Sequence, residues 1–223
     1  IHATSHLEAE ELRDLGLRNP IAVIPNGVRL SEVSKTDIRQ SERPYVLFLS
    51  RIHPKKGVAE LLSAWDRINP GEWELVLAGP DESGILADHT LPRNVRYVGS
   101  VEGAAKERLL QGASVFVLPS HSENFGVVVA EALMANVPVI ATKGTPWERL
   151  EARKCGWWIP LTVDELAKTL VSAISTPRDE LAAMGARGRV FATEEFDWQQ
   201  IAARMLSVYL WVLGRGERPD CVV

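Results

Sequence analysis

Short, nearly uninterrupted apolar runs alternate with segments of helical period, and this alternation constrains the fold more than any other feature of the chain. The runs fall at 45–49, 73–78, 95–98, 114–118 and 137–141, with a shorter one at 156–159. A strand with one wet face alternates apolar and polar residues, whereas a strand covered on both faces need not. Between the runs, 57–68 sets Val58, Leu61, Leu62 and Trp65 on one helical face. Residues 103–112 carry Leu109 and Leu110 and end at a glycine, and 126–135 is short and almost wholly apolar. Three more helical stretches follow the last strand, at 163–175, 178–192 and 197–213, with Asp164 and Asp197 as candidate starters. Strands alternating with helices predict an α/β fold, a Rossmann-like parallel sheet flanked by helices. Trp65, Trp198 and Trp211 lie on helical apolar faces and are expected in the core.

The 223 residues suffice for one such domain with a full core, or for one domain plus a remnant of another. The chain opens at Ile1 and almost at once enters an apolar run at 21–24, so we expect a piece of a longer protein. We divide it into 1–28, the tail of an N-terminal domain and the interdomain linker; 29–196, the Rossmann-like domain; and 197–223, a terminal helix and tail. Residues 5–15 read as a helix, 25–28 as a turn, and 29–43, polar and without period, as a connecting segment. A net charge of -4 without any long basic run argues against nucleic acid as the partner. Cys155 and Cys221 are too few for a disulfide framework and sit in no metal-ligand pattern, which suits a reducing, cytoplasmic setting. No apolar stretch reaches the roughly 18–20 residues of a membrane span.

The chemistry concentrates where predicted strands end. At 119–131 a buried strand gives way to a polar loop, and Gly126 opens an apolar helix. In open parallel sheets ligands bind beyond the carboxyl ends of the strands. Helix-start amides carry partial positive charge that favours phosphate, and a glycine lets a ligand approach the backbone. Glu131 is the only charged residue between Glu123 and Lys143 and shares a helical face with Val127 and Val128. A carboxylate there needs a cation or a polar cavity; a salt bridge and a pair of sugar hydroxyls, such as those of a ribose, both satisfy it. At 49–57 another strand ends in a basic loop, with Arg51, Lys55 and Lys56 before Gly57, a good setting for a diphosphate. Gly79 and Gly99 also follow strands, where glycine serves turns in any case. His53 and His121 have no metal-ligating company.

Glu123 and Glu131 form an E-x7-E pattern, and the surrounding 119–132 segment resembles that of glycosyltransferase family 4 and related retaining enzymes of the two-domain GT-B fold. The loop at 50–57 resembles that family's Gly-Arg-x4-Lys-Gly loop, with Ser50 in place of the first glycine. Asn124 stands where the family motif often has glycine, and 145–147 departs from its usual Gly-Gly-x-Pro-Glu loop. The turn at 25–28 resembles the signature between the two domains.

The resemblance implies the donor-binding half of a retaining glycosyltransferase. Arg51, Lys56 and Glu123 would be the catalytic group: the two cations neutralise the nucleotide diphosphate, and Glu123 contacts the donor sugar. Asn124, Phe125, Gly126, Val127 and Val128 would face the donor, Glu131 would hold the ribose, and Gly99 and Val101 would lie beside the base. The donor would be a UDP-, GDP- or ADP-sugar, with no metal and no other cofactor. The acceptor, a sugar or a lipid-linked one, would bind through an N-terminal domain, with peripheral contact at the inner membrane face. Polysaccharide or lipopolysaccharide synthesis is the implied setting, and this half alone is expected to be inactive. The last helix is implied to cross back to the N-terminal domain. A non-catalytic nucleotide-binding module and another GT-B enzyme, such as a sugar-nucleotide epimerase, remain alternatives.

Overall fold

The computed structural model describes residues 1–29, 43–86 and 91–223. Its centre is a six-stranded, wholly parallel sheet of β3 (Tyr45–Leu49), β4 (Glu74–Ala78), β5 (Val95–Tyr97), β6 (Val115–Leu118), β7 (Val139–Thr142) and β8 (Gly156–Ile159). The spatial order is β5-β4-β3-β6-β7-β8. The chain therefore winds outward from β3 in one direction and, after β5, returns to β6 and winds the other way. The order reverses between β3 and β6, and there the loops leaving the two strands diverge and open a crevice.

Side-chain alternation along the strands builds two cores, one on each face. Tyr45, Leu47 and Leu49 of β3 face one side, with Phe116 and Leu118 of β6 and Val139 and Ala141 of β7. That side is covered by α3 (Gly103–Gly112), α4 (Val127–Met134) and the end of α7 (Arg178–Phe196). Val46 and Phe48 face the other side with Leu75, Leu77, Val115, Val117 and Ile140. There α2 (Val58–Asp66) contributes Val58, Leu61 and Trp65, and α6 (Val163–Ser175) contributes Leu166 and Leu170. Coverage on both faces explains why the strands read as continuous apolar runs. The edge strand β5 is the exception, with Arg96 and Tyr97 exposed.

A second, small unit precedes the sheet. β1 (His2–Ala3) pairs in parallel with β2 (Ala22–Val23), and α1 (His6–Asp14) connects them around Ala3, Ala9 and Ile21. The final helix α8 (Trp198–Val212) packs Ile201 and Val208 onto Ala22 and Ile24 of this unit. The chain end adds an antiparallel edge to β2: Val23 N donates to Cys221 O at 2.7 Å, and Ile21 and Val223 exchange two backbone bonds.

Several local expectations are corrected. Thr162, not Asp164, caps α6 by accepting from Glu165 N, and Asp164 instead pairs with Arg67 at 2.7 Å. The helix expected at 178–192 continues to Phe196, because Phe191, Ala192 and Phe196 keep burying the same face. Trp198 is 49% exposed rather than in the core, its ring lying close against Gly27, where a Cβ would stand 2.5 Å from it. The four-residue helix α5 (Arg149–Ala152) and the strand β1 were not foreseen. Most of the expected connecting segment at 29–43 lies outside the described residues.

Candidate functional site

The crevice at the switch point is built by two loops that hold each other. After β3, Ile52 is buried with its amide on Pro80 O at 2.8 Å, so Arg51 and His53 on either side are turned outward. His53 caps a 3-10 turn, Pro54–Lys56, by accepting from Lys55 N through Nδ1 at 3.1 Å. Gly57 then adopts φ +66°, and a Cβ on it would sit 1.9 Å from Pro119 O in the second loop. From that loop His121 N donates to Lys55 O at 2.9 Å, and Ser120 Oγ lies 3.1 Å from the same oxygen. A third loop backs the second: Glu123 N donates to Gly144 O at 2.9 Å, and Trp147 Nε1 donates to Phe125 O at 2.6 Å. Phe125 is in turn stacked among Trp147 and Phe196, with ring centroids 5.2 and 5.3 Å away.

Across the two loops Lys56 Nζ and Glu123 Oε1 form an ion pair whose side chains are only 14% and 12% exposed. Each needs the other, since a carboxylate or an ammonium that far from water is costly alone. Arg51 is exposed and rests on Glu82 Oε2 at 3.1 Å. Gly126, at φ +77°, starts α4 without any side-chain cap. The amides of Val127 and Val128 have no intrahelical acceptor at that end, which makes the helix start a partial positive charge.

These groups line one open cleft of about 550 Å³. It brings together Arg51, Lys56, Glu123, Asn124, Phe125, Gly126, Val127 and Val128 of the residues singled out in the sequence. Glu131 is not among them. It lines a separate cleft of about 220 Å³ with Arg29, Gly103 and Lys106. Its Oε1 accepts from Lys106 Nζ at 2.7 Å, so the salt-bridge reading of this carboxylate describes its contact here. Gly99 and Val101 line neither cleft. Gly99 O accepts from Gly79 N at 2.8 Å, and Val101 packs against the core.

The cleft also has walls that the sequence did not assign to a ligand: Thr4, Ser50, His53 and Ser122, besides Asn26 of the 25–28 turn. Lys55 of the basic loop is exposed and lines the cleft too. Glu8 of α1 reaches the second loop, accepting from Asn124 Nδ2 at 2.7 Å. Burial pushes the Glu8 carboxyl up, but the donating Thr4 hydroxyl and amide and the Asn124 amide outweigh it and hold the group below its usual range. A Ser-x-x-Glu capping pattern at Ser5 and Glu8 was the one available signal; it marks a helix start and says nothing of a loop more than a hundred residues away. Among the described residues no three His, Cys, Asp or Glu side chains are grouped to hold a metal ion. No helix among them is long and apolar enough to cross a membrane.

Comparison with known proteins gives this crevice a context. Residues 32–208 match the family model described as Glycosyl transferases group 1. Glycogen synthase of Mycobacterium tuberculosis is 31% identical over 227 residues, covering 97% of this chain and 54% of that protein. Phosphatidyl-myo-inositol mannosyltransferase of the same organism is 28% identical over 212 residues, covering 87% of this chain and 55% of that one. The chain thus spans about half the length of the curated relatives it matches. Among solved structures, Anabaena Alr3699/HepE in complex with UDP superposes with a TM-score of 0.82 at 23% identity, over 93% of this chain and 62% of that one. The likeness establishes the fold.

Proposed function

The chain belongs to the glycosyl transferases group 1 family, and from that premise we propose that it is the nucleotide-sugar-binding half of a retaining glycosyltransferase of family 4. The observation that carries the reading is the convergence, at the point where the strand order reverses, of the Lys56–Glu123 pair, Arg51 and the uncapped start of α4. In this reading the donor diphosphate lies between the basic loop and the amides of Val127 and Val128. Lys56 and Arg51 offset its charge, and more so as the bond from the sugar carbon to the diphosphate oxygen breaks. Glu123, held by Lys56, positions the sugar. An acceptor hydroxyl forms the new bond from the face that the diphosphate leaves, with its proton passing to the departing phosphate oxygen, so configuration is retained. No metal is assigned to the reaction. Glu131 receives the ribose hydroxyls, sharing its oxygens with Lys106; Gly99 and Val101 flank the base through their backbone.

UDP is the first nucleotide to test, because Alr3699/HepE carries it; GDP and ADP follow. We assign acceptor recognition, for a sugar or lipid-linked hydroxyl, to the part of the relatives' length that this chain does not span. The proposed setting is cytoplasmic, with that part in contact with the inner membrane face. Calorimetry and thermal unfolding with UDP, GDP and ADP test the donor site. At about 100 times its dissociation constant, a ligand adds roughly 2.7 kcal/mol of stability, about 5–10 °C for a chain of this size. One diphosphate should stabilise selectively and lose its effect in Glu131→Ala. A chain indifferent to all three would rule out the donor-site reading.

A further inference from the structure

The loop carrying Glu123 is gripped from outside its own sheet. Asn124, exposed at the cleft, lies between two backbone anchors of that loop, Glu123 N on Gly144 O and Phe125 O under Trp147. Its side chain turns to α1 and donates from Nδ2 to Glu8 Oε1 at 2.7 Å. The Glu8 carboxylate is itself held in place, since its Oε2 accepts from both the amide and the hydroxyl of Thr4 at 2.6 Å. Ser5 fixes the same turn by accepting from Glu8 N at 3.1 Å. Thr4 and Asn26 belong to the same small unit and line the cleft together with Lys56 and Gly126. With both carboxylate oxygens engaged by protein donors, Glu8 acts on the loop rather than on a ligand.

We propose that Glu8 is a positioning residue for the donor loop: through Asn124 it sets the backbone between Glu123 and Phe125 from across the cleft, so that donor affinity depends on α1. The inference rests on the donor-site reading above. A charge-assisted bond of this kind is stronger than a neutral one, and because it joins two separately anchored segments its loss is felt as misplacement of Glu123.

The test exploits the reversibility of the bond. In the 223-residue chain, the affinity for UDP, GDP and ADP is measured by calorimetry in the wild type, in Asn124→Asp, in Glu8→Gln and in the double variant. Asn124→Asp sets two carboxylates against each other and should weaken the preferred diphosphate about threefold to tenfold. Adding Glu8→Gln restores the bond with its direction reversed, the introduced amide donating to the introduced carboxylate while its carbonyl still accepts from Thr4. The double variant should return to within about twofold of the wild type. Separate structural roles for the two residues would make the losses add. Additive losses, or unchanged binding in Asn124→Asp, overturn the proposal. A wild type that binds none of the three nucleotides overturns the donor-site reading and the dependence of affinity on α1 with it. Unfolding midpoints of the same four proteins then decide separately whether Glu8 holds Asn124, by the presence or absence of the same rescue.

Discussion

At the scale of single residues, the molecule's charges divide into those that need a partner and those that do not. Lys56 and Glu123 are mostly buried, so removing one leaves the other uncompensated. Lys56→Ala should cost about 2–3 kcal/mol in urea denaturation, less than the roughly 3–5 kcal/mol of a fully buried pair because this one opens on a cleft. Lys56→Met with Glu123→Gln should recover most of that stability while leaving donor binding lost, which separates folding from function. Arg51, exposed on Glu82, should by contrast leave stability within about 0.5 kcal/mol when changed to Ala. Glu195 carries a pH signature. The hydrogen bond from Arg149 holds its carboxyl below the ordinary 4.5 against the opposing effect of burial. A carboxyl lowered on folding contributes stability above its unfolded value and loses it as pH falls through the folded one. The destabilisation by Glu195→Gln should therefore be full at neutral pH and shrink progressively below about 4.5, as read from denaturation midpoints across that range. Cys155 gives the simplest check of the core. Burial pushes its thiol up to about 11, and its Sγ rests on Leu150 O at 3.6 Å. At pH 8 iodoacetamide should label the partly exposed Cys221 alone in the native chain, and both cysteines only after unfolding.

At the scale of elements, the functional geometry depends on loops that approach more closely than side chains permit. Gly57→Ala must move either its own left-handed backbone or the Pro119 carbonyl, which a Cβ would meet at 1.9 Å. We expect a loss of more than about 2 kcal/mol and, at temperatures where the variant stays folded, a donor affinity reduced at least tenfold, because the basic loop and the Glu123 loop share that contact. Calorimetry on a variant already shown folded by circular dichroism measures it. The same closeness explains what the chain made legible. The strands of the sheet and each helix of two turns or more could be read from the pattern of apolar residues, since burial on both faces, β5 excepted, writes itself into the apolar runs. The two strand-end loops at 49–57 and 119–131 could be read as chemistry because charge and glycine occur there together. What escaped were contacts between loops distant in sequence. That Lys56 would meet Glu123, or that Gly144 would accept from Glu123 N, follows from strand order, and strand order is not written in any single segment. Helix ends escaped for a smaller reason: Thr162 and Asp164 are both acceptable starters, and only the backbone decides which one caps α6.

At the scale of the whole molecule, the chain crosses twice between the small N-terminal unit and the sheet, and the two crossings lie side by side. Val28 N donates to Phe196 O at 2.8 Å, Val28 bridges to Asp197, and the Trp198 ring covers Gly27. Beyond that point α8 belongs to the small unit rather than to the sheet, because Ile201 and Val208 bury against Ala22, Ile24 and Val222. The cleft is thus lined from both units, by Thr4 and Asn26 as well as by Lys56 and Gly126. The small unit, held by its own apolar cluster and tied to the sheet by two adjacent crossings, should open more easily than either sheet face. Val208→Asp tests this by placing a carboxylate in that cluster, where it finds no partner among the buried residues. Hydrogen exchange should accelerate at least tenfold in 1–24 and 198–223 while 45–49, 74–78, 115–118 and 139–142 keep their protection. Donor affinity should fall too, by about as much as Asn124→Asp lowers it, since detaching α1 removes Glu8 from Asn124. Uniform loss of protection through the sheet would mean that both units form one cooperative core, and the cleft would then be a fixed groove rather than a joint between two bodies.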